Sequence, residues 1–324
     1  MRAIIPVAGF GTRLRPHTYS IPKVLLNVAG KPIIGHILDK IIEDGFDEAT
    51  IIVGQMGEKI RDYVQSNYKI KFDFVEQSEP KGLAHAISLA KKSFTNEPIL
   101  IILGDTIFDV NLKPLLKESF TSLGIKEVDD PRRFGVVVLK DGFVRQLIEK
   151  PENPTSNLAL VGLYWIRNPK LLEQCIDELF QKDKKTKGEF QLTDALQSMV
   201  EKGEKVKTFD VVGWYDCGKP ETLLATNRHL LGKSPNHLKP DGVVINPPVF
   251  IAETARISRS VIGPHATIAD GAVVEDCVIR NSIVSNDAQV YRALLEDSLI
   301  GNNAVIEGSF KRINIGDSSE IEFQ

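Results

Sequence analysis

Cysteine is scarce in this chain: three residues in 324, at Cys175, Cys217 and Cys277. They are far apart and odd in number. That argues against a disulfide framework and against a zinc site built on paired thiolates, and it fits a reducing compartment. Long apolar runs are missing too. No stretch approaches the ~20 apolar residues that span a membrane. The apolar start, Ala3-Ile4-Ile5-Pro6-Val7-Ala8, is too short for the hydrophobic segment of a signal peptide. A cytoplasmic location is the expectation. Nor does charge of one sign dominate. The 40 basic residues face 43 acidic ones, the net charge is −3, and no basic run stands out. Neither a nucleic-acid polymer nor a membrane is an expected partner. Small anionic metabolites stay open, because a few placed cations suffice for them.

What the chain does have is an alternation of strand and helix patterns. An apolar run at 2–8 enters Gly9-Phe10-Gly11. Ile34, Ile37, Leu38, Ile41 and Ile42 share one face of a helix over 33–44, which Gly45 stops. A strand at 49–53, a helix near 57–66, a strand at 70–75, a helix at 83–93 and a strand at 98–103 follow. The order predicts an α/β fold, a Rossmann-like, mostly parallel sheet flanked by helices. Ligands in such sheets lie beyond the carboxyl ends of the strands. From 134 the rhythm changes: Phe134–Leu139 and Phe143–Ile148 flank Asp141-Gly142, a hairpin signal. A strand over Leu158–Ile166 and helices near 169–181, 189–202 and 219–231 complete this part.

Prolines 235, 240, 247 and 248 mark a linker within 231–248. The expected division is therefore a domain over 1–235, then a linker and second domain over 236–324. In the latter, aliphatics recur six apart: Ile251 and Ile257; Ile262, Ile268 and Val274; Val284 and Val290; Ile300 and Ile306; Ile315 and Ile321. Small residues, Asn, Asp and Gly fill the gaps. A period of six is neither helical nor alternating. It matches the hexapeptide repeat that winds a small left-handed parallel β-helix, whereas the alternative, a small antiparallel β-domain, would not keep that period.

The residues with chemical potential cluster in motifs. Gly9-Phe10-Gly11-Thr12-Arg13 follows a strand, and a glycine loop lets backbone N–H groups approach phosphate. No Gly-Lys-Ser/Thr follows, which excludes the Walker pattern, and Leu14 replaces the third glycine of the dinucleotide fingerprint. Arg13 and Lys23 are cations suited to a triphosphate. Asp105 ends the apolar run Ile99–Leu103, where a carboxylate points into a ligand crevice. Asp216 lies in an aromatic segment where a carboxylate needs a partner. Glu149-Lys150 stand before Pro151, near a strand end. His17, His36, His85 and His265 read as structural, and Cys217 as a small buried residue.

Ala8-Gly9-Phe10-Gly11-Thr12-Arg13-Leu14-Arg15-Pro16-His17-Thr18 and Pro22-Lys23 closely resemble the signature loop of the sugar-1-phosphate nucleotidyltransferases (NDP-sugar pyrophosphorylases). The likeness continues through Gln77-Ser78-Glu79-Pro80-Lys81-Gly82-Leu83-Ala84-His85-Ala86, Leu103-Gly104-Asp105 and Glu149-Lys150-Pro151. It ends with Gly188–Asp194 and Trp214–Pro220. The tail looks like that of long-form glucose-1-phosphate thymidylyltransferases, including Asn314-Ile315-Gly316-Asp317-Ser318. The resemblance implies Arg13, Lys23 and Lys150 as catalytic residues. It implies Gly9, Gly11, Thr12, Gln77 and Gly82 as nucleotide-binding, with Gln77 and Gly82 at the base edge. Gly135, Glu149 and Gly162 would meet the sugar, and Asp105 and Asp216 would hold Mg²⁺. The implied reaction joins a nucleoside triphosphate to a sugar 1-phosphate and releases pyrophosphate, with dTTP and glucose 1-phosphate as the best-matching pair. UTP–glucose-1-phosphate uridylyltransferase and mannose-1-phosphate guanylyltransferase remain alternatives. Thr106 stands where thymidylyltransferases usually have Asn. A bifunctional acyltransferase and a catalytically inactive regulatory protein are further readings. A homo-oligomer is expected, assembled with help from the repeats.

Overall fold

Ala3, Ile4 and Ile5 are wholly buried, as a strand covered on both faces requires, and they form the middle of β1, Arg2–Pro6. The computed structural model describes residues 1–233, 240–310 and 320. Two compact units emerge: the first holds Met1–Asn27 and Lys31–Thr226, the second Val28–Gly30 and Asn227–Gln324.

In chain order β1 is followed by the short β2 (Asn27–Val28) and β3 (Lys31–Pro32), α1 (Ile33–Glu43), β4 (Glu48–Val53), α2 (Gly57–Asn67), β5 (Lys71–Glu76), α3 (Leu83–Leu89) and β6 (Ile99–Ile102). Then come β7 (Thr106–Asp109), β8 (Thr121–Glu127), β9 (Gly135–Lys140), β10 (Phe143–Glu149), β11 (Leu158–Ile166), α4 (Pro169–Gln181), α5 (Leu192–Glu201), β12 (Val206–Asp210), β13 (Gly213–Asp216) and α6 (Pro220–Lys233).

The main sheet has nine strands in the order β10-β9-β11-β6-β1-β4-β5, with β8 beside β11 and β12 beside β8. The run β6-β1-β4-β5 is parallel throughout, so its carboxyl ends share one edge. The insertion foreseen from the hairpin signal joins the same sheet: β9 and β10 pair antiparallel around Asp141-Gly142, and β11 runs antiparallel to β6. A separate ribbon pairs β7 with β13. Apolar faces of α3, α4 and α5 meet the sheet in a core that includes Ile4, Ile87, Ile101, Tyr164, Ile176 and Leu196. Asn168 caps α4, accepting from the Leu171 N–H at 3.1 Å, and Pro169 opens its first turn.

In the second unit the described strands lie in three parallel sheets, the faces of a left-handed parallel β-helix. The six-residue period places its aliphatics in register. Ile251, Ile268, Val284 and Ile300 form one inward ladder. Ile257, Val274, Val290 and Ile306 form another. Ile245, Ile262, Ile279 and Leu295 complete the third. The repeat positions Ile315 and Ile321, and the closing motif at 314–318, lie outside the described residues. The Asn and Asp that fill the gaps have a structural reason: Asp276, Asn281, Asp287, Asp297 and Asn303 all take positive φ at the corners, where short polar side chains are best tolerated. Buried Asn227 ties this unit together. Its amide oxygen accepts from the Ala29 N–H at 2.8 Å and the Thr267 hydroxyl at 2.7 Å, and its nitrogen donates to the His265 carbonyl at 3.1 Å.

Candidate functional site

The parallel edge fixes where chemistry can happen. β1 ends into Val7-Ala8-Gly9, β5 into Gln77, and β6 into Leu103-Gly104-Asp105. Ladder bonds continue just past the strand ends: Val7 N–H to Ile52 O at 2.8 Å and Gln77 N–H to Val53 O at 2.8 Å. These loops converge on a cleft of about 450 Å³, in the size range of small-molecule sites. Gly9, Gly11, Thr12, Arg13, Lys23, Gln77, Gly82 and Asp105 all line it.

Two backbone conformations build that cleft. Gly11 sits at φ 61, in the left-handed region, and opens the single helical turn Thr12–Leu14. A Cβ there would lie 3.0 Å from both Lys23 Cβ and Thr18 Cγ2, so any side chain would be strained and would have to push both neighbours back. Thr18 locks it, donating to the Gly11 carbonyl at 2.9 Å. Gly82, at φ 109 and ψ 173, occupies a region that belongs to glycine alone. A Cβ on Gly82 would fall 2.5 Å from the Phe190 carbonyl oxygen. Bonds from Ala84 N–H to Phe190 O and from Phe190 N–H to Lys81 O, each 2.9 Å, hold it there.

Electrostatics centre on Asp105. Lys23 is buried, and its ammonium sits 3.0 Å from Asp105 Oδ2. Partial burial pushes the Asp105 carboxyl up, but the Lys23 ammonium, with help from Thr106 and Arg13, holds it below its ordinary value. Asp216 closes the β7–β13 ribbon opposite Thr106, and the next amide, Cys217 N–H, donates to the Asp105 carbonyl at 3.0 Å. A Cβ on Gly218 would meet Arg13 Nη2 and Asp216 Oδ1, each at 2.8 Å, so guanidinium and carboxylate approach each other over that glycine. Asp105 lines the cleft, whereas Asp216 lies outside the lining, beside Gly218, which belongs to it. One or two carboxylates so placed suit Mg²⁺, which completes its shell with phosphate and water. Among the described residues no group of three or more His, Cys, Asp and Glu forms a self-sufficient cage, so the remaining donors would come from substrate and solvent.

The Glu149 group stands apart from the cleft lining. Glu149 faces Gly135 across the β9–β10 hairpin, accepts from the Thr193 hydroxyl at 2.6 Å and lies 3.3 Å from Lys150 Nζ. Its side chain is 8% exposed, which is too buried for a surface pair. Lys150 follows at φ 43. Gly162 packs on Leu103, which does line the cleft, and its carbonyl accepts the Leu103 N–H at 2.9 Å. Buried Tyr164 feels charge from both groups. Burial, then the charges of Glu149 and Asp105, push its hydroxyl pKa up. Cys217 is buried and its thiol is pushed up to about 12, no state for a nucleophile.

Residue-type reasoning missed the apolar part of the lining, Val24, Leu83, Ala86 and Leu103, together with Pro80 and Glu189. Aliphatics read as core in a sequence, and only the placement of these beside the glycine loop distinguishes them.

A family model described as nucleotidyl transferase matches residues 2–233. The bifunctional protein GlmU of Methanocaldococcus jannaschii is 39% identical over 330 residues, covering 94% of this chain and 78% of that one. A glucose-1-phosphate thymidylyltransferase of Streptomyces griseus is 29% identical over 360 residues and 99% of both chains. Among solved structures, a UDP-glucose pyrophosphorylase complexed with UDP-glucose superimposes with a TM-score of 0.63 at 28% identity, covering 72% of this chain and 99% of that one.

Proposed function

The chain belongs to the nucleotidyl transferase family, and from that premise we propose that it joins dTTP to glucose 1-phosphate, giving dTDP-glucose and pyrophosphate. The reaction class, sugar-1-phosphate nucleotidyl transfer, follows from the family and its relatives. The choice of dTTP and glucose rests on the motifs around Gly82 and Asp216, and on the end-to-end match to a relative of that name. One observation carries the reading: Arg13, buried Lys23, Asp105 and Gln77 converge with a glycine loop on one cleft.

In this account the sugar 1-phosphate oxygen attacks the α-phosphorus in line and pyrophosphate leaves. The nucleophile is already anionic at neutral pH, so no general base is needed. The obstacle is bringing two polyanions together. The Gly9–Thr12 loop and Arg13 grip the triphosphate, Lys23 adds fixed positive charge, and Lys150 meets the sugar phosphate. A divalent ion on Asp105 and Asp216 supplies further charge neutralisation when bound. Glu149, held by Thr193, accepts sugar hydroxyls. Holding both reactants in line gives the rest of the acceleration.

Gln77 and the Gly82 backbone read the base. Thymine and uracil differ by one methyl, which discriminates by ~1–3 kcal/mol, whereas a purine leaves those polar groups unpaired. The test is kcat/KM for dTTP, UTP, CTP and GTP with glucose 1-phosphate, in the wild type and in Gln77→Ala. The expected order is dTTP, then UTP roughly 10–200-fold lower, then the others, with discrimination flattened in the variant. A wild type that used GTP best would overturn the thymidylyl assignment and leave the reaction class standing.

A further inference from the structure

Gln77 has a partner that the catalytic account leaves unused. Its amide nitrogen lies 3.1 Å from Nδ1 of His85, on the first turn of α3. His85 is absent from the cleft lining, whereas Gln77 belongs to it. An amide has a donating end and an accepting end, and a partner fixed on one end decides which end is left for a ligand. We infer that His85 is a positioning residue: its neutral Nδ1 holds the Gln77 amide nitrogen, leaving the Gln77 oxygen as the acceptor that selects a base with an N3–H donor. The inference rests on Gln77 reading the base, as proposed above.

The surroundings of the ring favour that state. Partial burial, followed by the charge of Lys81, lowers the His85 pKa from 6.5, while Glu79 and its backbone carbonyl oppose the shift. Lys81 and Glu79 are the charged groups acting on the ring, and they pair with each other. α4 contributes Phe180, edge-on at 6.2 Å and uncharged, and the end of β5 contributes Gln77 itself. At neutral pH the imidazole is therefore neutral and able to accept. Protonation turns Nδ1 into a donor, which repels the amide N–H₂ and favours a rotated amide with its oxygen on His85. The rotated amide offers a donor to the base. Thymine and uracil carry a donor at N3, and cytosine carries an acceptor there. Acid should therefore erode preference for dTTP over CTP.

The kcat/KM ratio of dTTP to CTP tests this, measured at about pH 8 and at the lowest pH at which the enzyme stays folded and active, because the His85 pKa lies below 6.5. Both nucleotides share the triphosphate and the sugar substrate, so the ratio cancels their common titration. In the wild type the ratio should fall about tenfold on acidification, the scale of one hydrogen bond exchanged for an unpaired group. His85→Leu should have the low ratio at both pH values. His85→Asn places an amide oxygen where Nδ1 stood and does not titrate, so it should keep a high ratio at both. A His85→Leu protein that retained the wild-type ratio and its pH response would overturn the positioning role, as would one that lost rate equally for both nucleotides. Gln77→Ala separates the two ideas. If it lowers the ratio while His85→Leu does not, base reading stands and His85 is excluded. If it leaves the ratio unchanged, base reading by Gln77 fails and this inference fails with it.

Discussion

Asp105 shows how one residue serves the fold and the site together. A buried ammonium without a counter-charge is costly, and Lys23 finds its counter-charge in Asp105 at 3.0 Å. The carboxyl pKa is depressed in the folded protein, so the pair's stabilisation is fully present above 3.8, the ordinary value, and is lost as pH falls through the lower folded value. Because the Asp105 side chain is 41% exposed, water screens the pair, and its worth is on the order of 1 kcal/mol. Asp105→Asn should thus unfold at lower urea than wild type near neutral pH, with the gap closing below pH 3.8. The same substitution should cut turnover by orders of magnitude. Near-normal turnover in the folded variant would remove Asp105 from the site. The sequence exposed this residue because a carboxylate ending an apolar run is conspicuous. Its pairing with Lys23 was not legible, because 82 residues separate them. Nothing in the spacing of His85 reveals its contact with Gln77 either, so the sequence alone leaves it a structural residue.

Elements were read well where local periodicity decides them. α1, α2, α4 and β11 fall within a residue or two of the expected bounds, since each has a clear apolar stripe or run. α3 stops at Leu89, short of the expected 93, and a separate turn at Lys91–Ser93 follows it. β8 and β12 went unnoticed, as did the β7–β13 ribbon. Thr121–Glu127 contains Gly124 and is made a strand by pairing with Leu158–Trp165 and Val206–Asp210, both remote in sequence. At this scale the segment before α3 is the sensitive one. Gly82→Ala meets the Phe190 backbone and a disallowed φ together, so it should cost about 1–3 kcal/mol. Displacing this loop should also raise KM for the nucleotide more than KM for the sugar phosphate. Thermal denaturation and steady-state kinetics read the two effects. An unchanged Tm would mean the Lys81–Ala84 backbone rearranges freely.

For the molecule as a whole, the second unit was legible because a period of six survives in sequence, and every described repeat pair lands on an inward ladder. Less visible was that Val28–Gly30 belongs to this unit, where Phe250 covers Gly30. No local pattern announces that a three-residue loop near the start of the chain packs with its end. Among the described residues no helix is long and apolar enough to cross a membrane. We propose that the repeats take part in assembly: positions such as Leu294 and Val305 are 83% and 63% exposed, and open coil ends invite subunit contact. Light scattering should give the full chain a mass several times its 36.0 kDa, and a chain ending near residue 235 a lower multiple. Equal multiples would contradict a role for the repeats in assembly. Product analysis tests sugar-1-phosphate nucleotidyl transfer most directly. With Mg²⁺, dTTP and glucose 1-phosphate, mass spectrometry should show dTDP-glucose and pyrophosphate formed in equal amounts, with neither formed when the sugar phosphate is withheld. Pyrophosphate or phosphate released from dTTP without sugar phosphate, with no nucleotide sugar formed, would contradict the account.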